Sequence, residues 1–245
     1  MIWTFTGEAS SDFFGHAVSG AGDVNDDGYD DLLVGTPSAS ATAGRAYVYC
    51  GQTGGLLVTF TGESDGDRLA WSVSGAGDVN NDGYDDLIVG ACCQDGGGTD
   101  AGRAYVYSGH TGVMCFTGAN EGDNLGFSVS GAGDVNNDGY DDLTIGVPNH
   151  DYLGTNAGKA YVYSGETGSL IIGYSGGSDE DNLGFSVSGA GDVNNDGYDD
   201  VIFSAPYYDD GANADAGMVR VESPHDYVHL WTFTGDAAGD QFGRS

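Results

Sequence analysis

Short apolar stretches recur along the whole chain, each bounded by Gly, Asp, Asn, Ser or Pro. That punctuation reads as strands separated by tight turns. The stretches take two forms. Phe127-Ser128-Val129-Ser130 alternates, which predicts a strand with one buried face. Leu32-Leu33-Val34 and Ala46-Tyr47-Val48-Tyr49 are near-continuous, which predicts strands covered on both faces. Helix formers are sparse while strand formers and glycine dominate, so the chain reads as all-β.

The stretches come in sets of four. Asp23-Val24-Asn25-Asp26-Asp27-Gly28-Tyr29-Asp30-Asp31 recurs at 78–86, 134–142 and 192–200, with starts 55, 56 and 58 residues apart. An apolar stretch precedes each copy and three follow it, giving units of about 13–62, 68–118, 124–176 and 182–235. A four-stranded antiparallel unit repeated every fifty-odd residues predicts the blades of a β-propeller. A parallel β-helix would use much shorter coils, and a sandwich would not repeat so faithfully.

Charge narrows the partners. The 245 residues carry 38 Asp plus Glu against 6 Lys plus Arg, a formal net charge of −32. Nucleic acid and anionic membranes find almost no cations to bind, and no apolar run approaches a membrane span. The 39% hydrophobic and 11% aromatic content nevertheless exceeds that of a disordered acidic tail.

Much of the acid is patterned. Ca²⁺ takes six to eight hard oxygens, and alternate positions of a loop can turn theirs to one centre while glycine permits the sharp bend. In the first loop the ligands are Asp23, Asn25, Asp27, the Tyr29 carbonyl and Asp31. The second offers Asp78, Asn80, Asp82, Tyr84 and Asp86, and the third Asp134, Asn136, Asp138, Tyr140 and Asp142. The fourth offers Asp192, Asn194, Asp196, Tyr198 and Asp200. Asp30, in the eighth position, is expected to point outward. Without metal the converging carboxylates repel one another. No Cys or His stands in a ligand position, which disfavours zinc and copper. A self-bonded Asx turn would explain one such loop, but four copies with every ligand kept predict about four Ca²⁺.

These residues resemble the FG-GAP repeat of integrin α-subunit propellers and of many bacterial surface and secreted proteins. Phe14-Gly15 and Phe242-Gly243 carry the first element, from which Leu69-Ala70, Leu125-Gly126 and Leu183-Gly184 depart. Gly35-Thr36-Pro37, Gly146-Val147-Pro148 and Ser204-Ala205-Pro206 carry the second loosely, and Gly90-Ala91-Cys92 departs from it. The resemblance implies a propeller with Ca²⁺ in the hairpin loops between first and second strands, and an extracellular or cell-surface setting.

The ends repeat one another. Trp3-Thr4-Phe5-Thr6-Gly7 matches Trp231-Thr232-Phe233-Thr234-Gly235, and Asp12, Phe14 and Gly15 match Asp240, Phe242 and Gly243. Segments 1–12 and 236–245 are therefore surplus to four units, the head one as an extra outer strand. Three accounts compete: a window on a longer array, a four-bladed ring with a frayed end, or a segment that completes a neighbouring copy and so builds a filament.

Other residues read as structural. Cys50, Cys92, Cys93 and Cys115 lack zinc spacing, and their pairing stays open. No Ser-His-Asp or Cys-His constellation assembles, so no enzyme is expected. Tyrosines of the third strands are expected to pack blade on blade. Asp12, Asp67, Asp123, Asp181 and Asp240 are expected to cap turns, and Arg45, Arg103 and Lys159 to pair with nearby carboxylates. The leading reading is a non-enzymatic, calcium-binding structural or adhesive propeller that can self-associate. The alternatives are a glycan- or protein-binding module using loop residues such as Tyr152, Tyr207 or Tyr208, or part of a larger secreted propeller protein.

Overall fold

The computed structural model describes residues 3–8, 11–37, 43–108 and 111–245, with 111–113 described by backbone alone. Residues 1–2, 9–10, 38–42 and 109–110 lie outside them. Among the described residues sixteen strands form four sheets. The first holds β1 (Val18–Gly22), β2 (Asp31–Thr36), β3 (Arg45–Tyr49) and β4 (Leu56–Thr61). The second holds β5 (Leu69–Gly77), β6 (Asp86–Ala91), β7 (Arg103–Ser108) and β8 (Thr111–Thr117). The third holds β9 (Ser128–Gly133), β10 (Asp142–Val147), β11 (Lys159–Tyr163) and β12 (Leu170–Ser175). The fourth holds β13 (Val187–Gly191), β14 (Asp200–Ala205), β15 (Met218–Ser223) and β16 (Val228–Thr234). Each sheet is an antiparallel meander with its strands in chain order. These are propeller blades, and no helix occurs among the described residues.

The burial follows the sequence pattern. Strands β6 and β10 are buried at every position, as their near-continuous apolar runs require. The first strands line up from sheet to sheet. A Cβ on Gly75 would lie 3.0 Å from the carbonyl oxygen of Gly20, and one on Gly189 would lie 2.8 Å from that of Gly131. Only glycine lets the backbones approach this closely.

Four sheets enclose three cores. Leu33, Val48, Leu69 and Leu87 pack between the first and second sheets. Ile88, Val106, Leu143 and Ile145 pack between the second and third. Val162, Leu183, Val201 and Phe203 pack between the third and fourth. No core among the described residues joins the fourth sheet to the first, and the extensive contacts run only between consecutive sheets. The array is open, not a four-bladed ring.

Aromatic pairs bind the outer parts of the blades. Phe60 stacks on Tyr107 of the next sheet at 3.9 Å between centroids, and Phe116 meets Tyr163 at 4.3 Å. The head segment differs from the extra strand expected of it: Trp3–Glu8 makes no ladder. It lies on the first sheet, with Phe5 against Tyr49 at 4.2 Å and Trp3 Nε1 donating to the Gly51 carbonyl at 3.2 Å. It takes the seat that a preceding blade's outer strand takes elsewhere.

Candidate metal centres

Each acidic loop joins the first strand of a sheet to the second. A β-bulge precedes it, skipping Ala21, Ala76, Ala132 and Ala190 in the four sheets. The bulge re-aims the chain into the loop. In every copy the first Asp then organises the turn. Asp23 Oδ1 accepts from Asp27 N at 3.0 Å and its Oδ2 from Gly28 N at 2.7 Å. Asp78, Asp134 and Asp192 accept the equivalent pairs. The fifth-position carboxylates of Asp27, Asp82, Asp138 and Asp196 each accept the following Tyr N–H. The sixth-position glycines have φ between 85° and 93°.

The ninth-position carboxylates, Asp31, Asp86, Asp142 and Asp200, are fully buried at the base of the loops. Burial pushes the carboxyls of Asp86 and Asp142 up to about 7, and the neighbouring carboxylates of Asp82 and Asp78, and of Asp138 and Asp134, add to the rise. Asp31 and Asp200 are raised by burial in the same way.

The donor set fits a hard cation. The side-chain oxygens of Asn25, Asn80 and Asn136 are buried and have no hydrogen-bond partner among the described residues. An orphaned buried amide oxygen is costly unless something else ligates it. In the fourth loop the amide is spent internally: Asn194 Oδ1 accepts from Asp196 N at 2.8 Å, and its Nδ2 donates to Asp196 Oδ2 at 2.7 Å.

Two features escaped the sequence reading. The first is the eighth position. Asp30 is exposed, as expected, but Asp85, Asp141 and Asp199 reach back to the preceding sheet. They accept from the backbone N–H of Asp23, Asp78 and Asp134 at 2.7, 2.9 and 3.0 Å. These carboxylates point away from their own loop and clamp the one before. The second is Cys50, whose Sγ donates to Asp27 Oδ2 at 3.1 Å and lies in one cluster with Asp27 and Asp31. Ser108 Oγ makes the same contact to Asp82 Oδ2 at 3.0 Å. Cys50, Ser108, Ser164 and Ser223 stand at the matching position, the end of the third strand or the residue just past it. Cys50 thus has matching partners in the other units, as serine, and aligning that position would have found it.

The remaining expectations divide. Asp67, Asp123, Asp181 and Asp240 each accept the N–H of a residue three before them, as turn caps. Arg45 and Arg103 pair with Glu8 and Glu63, whereas the Lys159 ammonium lies 4.2 Å from the centre of the Tyr152 ring. All four cysteines are free thiols, with Cys92 and Cys93 Sγ 3.5 Å apart. At the end of the first strands opposite the acidic loops, His16, Trp71, Phe127, Phe185 and Tyr207 form a continuous row with centroids 4.7 to 6.4 Å apart. Tyr207 ends this row, Tyr208 packs against the third core, and Tyr152 stands exposed. The three loop tyrosines do not form one platform.

Known proteins resemble this architecture. The FG-GAP repeat family matches at residues 14–49, 69–107, 125–163 and 183–221. Integrin alpha-5 of Xenopus laevis is 32% identical over 213 residues, covering 79% of this chain and 20% of that protein. Integrin alpha-V of Gallus gallus is 28% identical over 211 residues with the same coverage. The chain therefore spans about a fifth of the length of these relatives. Among solved structures, Saccharomyces cerevisiae Sqt1 superposes with a TM-score of 0.54 at 12% identity, covering 88% of this chain and 48% of that one.

Proposed function

The chain belongs to the FG-GAP repeat family, and from that premise we propose that it is a non-enzymatic, extracellular propeller module stabilised by Ca²⁺, with an adhesive or structural role. The orphaned amide oxygens of Asn25, Asn80 and Asn136 above buried carboxylates carry this reading. The alternate Asp and Asn side chains, the Tyr29 carbonyl and its counterparts Tyr84, Tyr140 and Tyr198, and Asp31, Asp86, Asp142 and Asp200 hold the ion in each loop. A bound divalent cation converts carboxylate repulsion into coordination and makes metal binding part of the folding free energy. Cys50 stays outside the ligand set, as a thiol standing where the other units use serine.

Titration calorimetry on chelator-stripped protein tests this, together with elemental analysis and melting in chelator. Calcium uptake with a large rise in melting temperature is expected. Unchanged melting with no calcium found would sink the reading.

Self-association between copies is the second part of the proposal, supported by the open array and the duplicated terminal segments. Its test is sedimentation in calcium, where a monomer at every concentration argues against it. A glycan- or protein-binding role is favoured by one observation, the aromatic row and the cavity of about 340 Å³ lined by Phe13, His16, Arg68 and Trp71. Glycan-array binding lost on Trp71→Ala would support that role.

A further inference from the structure

Two adjacent thiols sit in a turn where the other units carry proline. The turn follows β6, and Gln94 N donates across it to the Ala91 carbonyl at 3.1 Å. His150 N and Tyr208 N make the same bond to the Val147 and Ala205 carbonyls. Cys92 takes the place of Pro148 and Pro206, and Cys93 follows it. Proline fixes φ and carries no reactive group; the second unit has exchanged that ring for thiols on consecutive residues. Their sulfurs are 3.5 Å apart, in contact. Cys50 and Cys115 touch no other sulfur among the described residues.

The surroundings make the two thiols unequal. Cys92 is 2% exposed, whereas Cys93 is half-buried and lines a cavity of about 520 Å³ with Arg68, Asp100, Asn124 and Asn149. Asn124 Nδ2 donates to the Cys92 carbonyl at 2.8 Å, and Cys93 N donates to the Asp67 carbonyl at 3.3 Å, which anchors the turn between the second and third sheets. Each of these sheets packs against a neighbour on both sides, so the site lies away from the ends of the array. Arg45, Arg103 and Arg220 each pair with a glutamate, whereas Arg68 makes no ion pair among the described residues. Its backbone is left-handed, with φ 57°, like that of its counterparts Asn124 and Asn182. That conformation suits asparagine and costs a bulkier residue more, so the cation stands there against local preference. With Cys92 as donor, its hydrogen bond holds the Cys93 thiol below the usual range, and Arg68 adds to the fall. The same contact and its burial push the Cys92 thiol up.

We propose that Cys92 and Cys93 are a redox-active dithiol, in which Cys93 attacks a low-molecular-weight disulfide entering the cavity and Cys92 then closes a disulfide between the two neighbours. In the first step the Cys93 thiolate bonds to one sulfur of RS–SR, that S–S bond breaks and RS⁻ leaves. In the second, Cys92 gives its proton to the departed RS⁻, and its thiolate attacks the Cys93 sulfur. The second RS⁻ is expelled and takes a proton from solvent, which replaces the one Cys93 lost on ionising. The pair has lost two electrons and two protons, and the small disulfide has become two thiols. Arg68 is a positioning residue that stabilises the attacking thiolate. The new bond closes a ring where the other units have the ring of proline, and it draws the Cys93 sulfur out of the cavity towards Cys92. The site is independent of the calcium and self-association readings.

The test treats the reduced full chain, in calcium, with hydroxyethyl disulfide, which is uncharged, and reads the product by mass spectrometry and peptide mapping. The expected product has lost two hydrogens, keeps no adduct, carries a bond between Cys92 and Cys93, and returns to its starting mass in dithiothreitol. Cys92→Ser should trap the adduct on Cys93, and Cys93→Ser should leave Cys92 unmodified. Arg68→Gln added to Cys92→Ser should slow the trapping about three- to tenfold and move its pH midpoint upward. Phenylarsine oxide, whose trivalent arsenic bridges two thiols, needs no variant: it should bind the reduced chain and not the oxidised one. A stable adduct on Cys93 of the unaltered chain, a bond that involves Cys50 or Cys115, two unreactive thiols, or no arsenical binding would each overturn the proposal. Trapping indifferent to Arg68→Gln overturns the role given to Arg68.

Discussion

The carboxylate of Asp141 accepts a hydrogen bond at 2.9 Å from the backbone N–H of Asp78, 63 residues earlier, and Asp141 N returns one to the Asp78 carbonyl at 3.3 Å. A residue of one acidic loop thereby fixes the first residue of another. Asp141→Ala should cost about 1.5–3 kcal/mol, the range for a hydrogen bond to a charged group. It should also weaken calcium at the second loop more than at the third, although Asp141 belongs to the third. Urea unfolding and calorimetry of the variant check both. Asp141→Asn, which keeps an acceptor oxygen, should cost less.

The loops should not be equal. Three have an orphaned amide oxygen and a valine buried under the next sheet, whereas the fourth has spent its amide on Asp196 and exposes Val193. Calcium titration should resolve three tighter sites and one weaker one. At about a hundredfold excess of calcium over the dissociation constant each site contributes about 2.7 kcal/mol. Stripping three should lower the melting temperature by roughly 20 °C, as read by calorimetry with and without chelator.

Equivalent leucines should behave differently. Leu87 is buried between two sheets, and Leu87→Ala should cost about 2–5 kcal/mol. Leu32 holds the same place in the first sheet but is exposed, and Leu32→Ala should stay within about 0.5 kcal/mol. Chemical unfolding of the two variants at low protein concentration makes the comparison.

Cys50 should be replaceable by the residue its counterparts use. Cys50→Ser should leave calcium binding at the first loop near unchanged, because Ser108 makes the same contact to Asp82. Cys50→Val removes the donor to Asp27 and should weaken that site about 10–100-fold, the usual cost of losing an outer partner of a metal ligand. Calorimetry on protein with the other loops disabled reads this directly.

Much of this was legible in the chain. Strand position, blade size and loop geometry all follow from the repeat and its punctuation, and the acidic loops between Gly22 and Asp31 and their counterparts fold as their spacing requires. What was not legible depends on a neighbour. Trp231 to Thr234 is strand because β15 offers it an edge, whereas the same four residues at Trp3 to Thr6 have none and lie irregularly on a sheet face. The double role of Asp85, Asp141 and Asp199 is invisible locally, since the N–H each one binds lies about sixty residues away. Whether the blades closed into a ring could not be read from a repeat that looks the same at every step.

The clamp always reaches backwards, from a sheet to the loop before it, and this gives the stack a polarity that face-to-face packing alone would not. Each loop is sealed only once its successor has folded, so order is conferred from the later blade on the earlier. The fourth loop has no successor within the described residues and is the point where solvent enters. Calcium should leave the array there first, and amide exchange between Asp192 and Asp200 should outpace that of the other loops, as in a column that melts from one end.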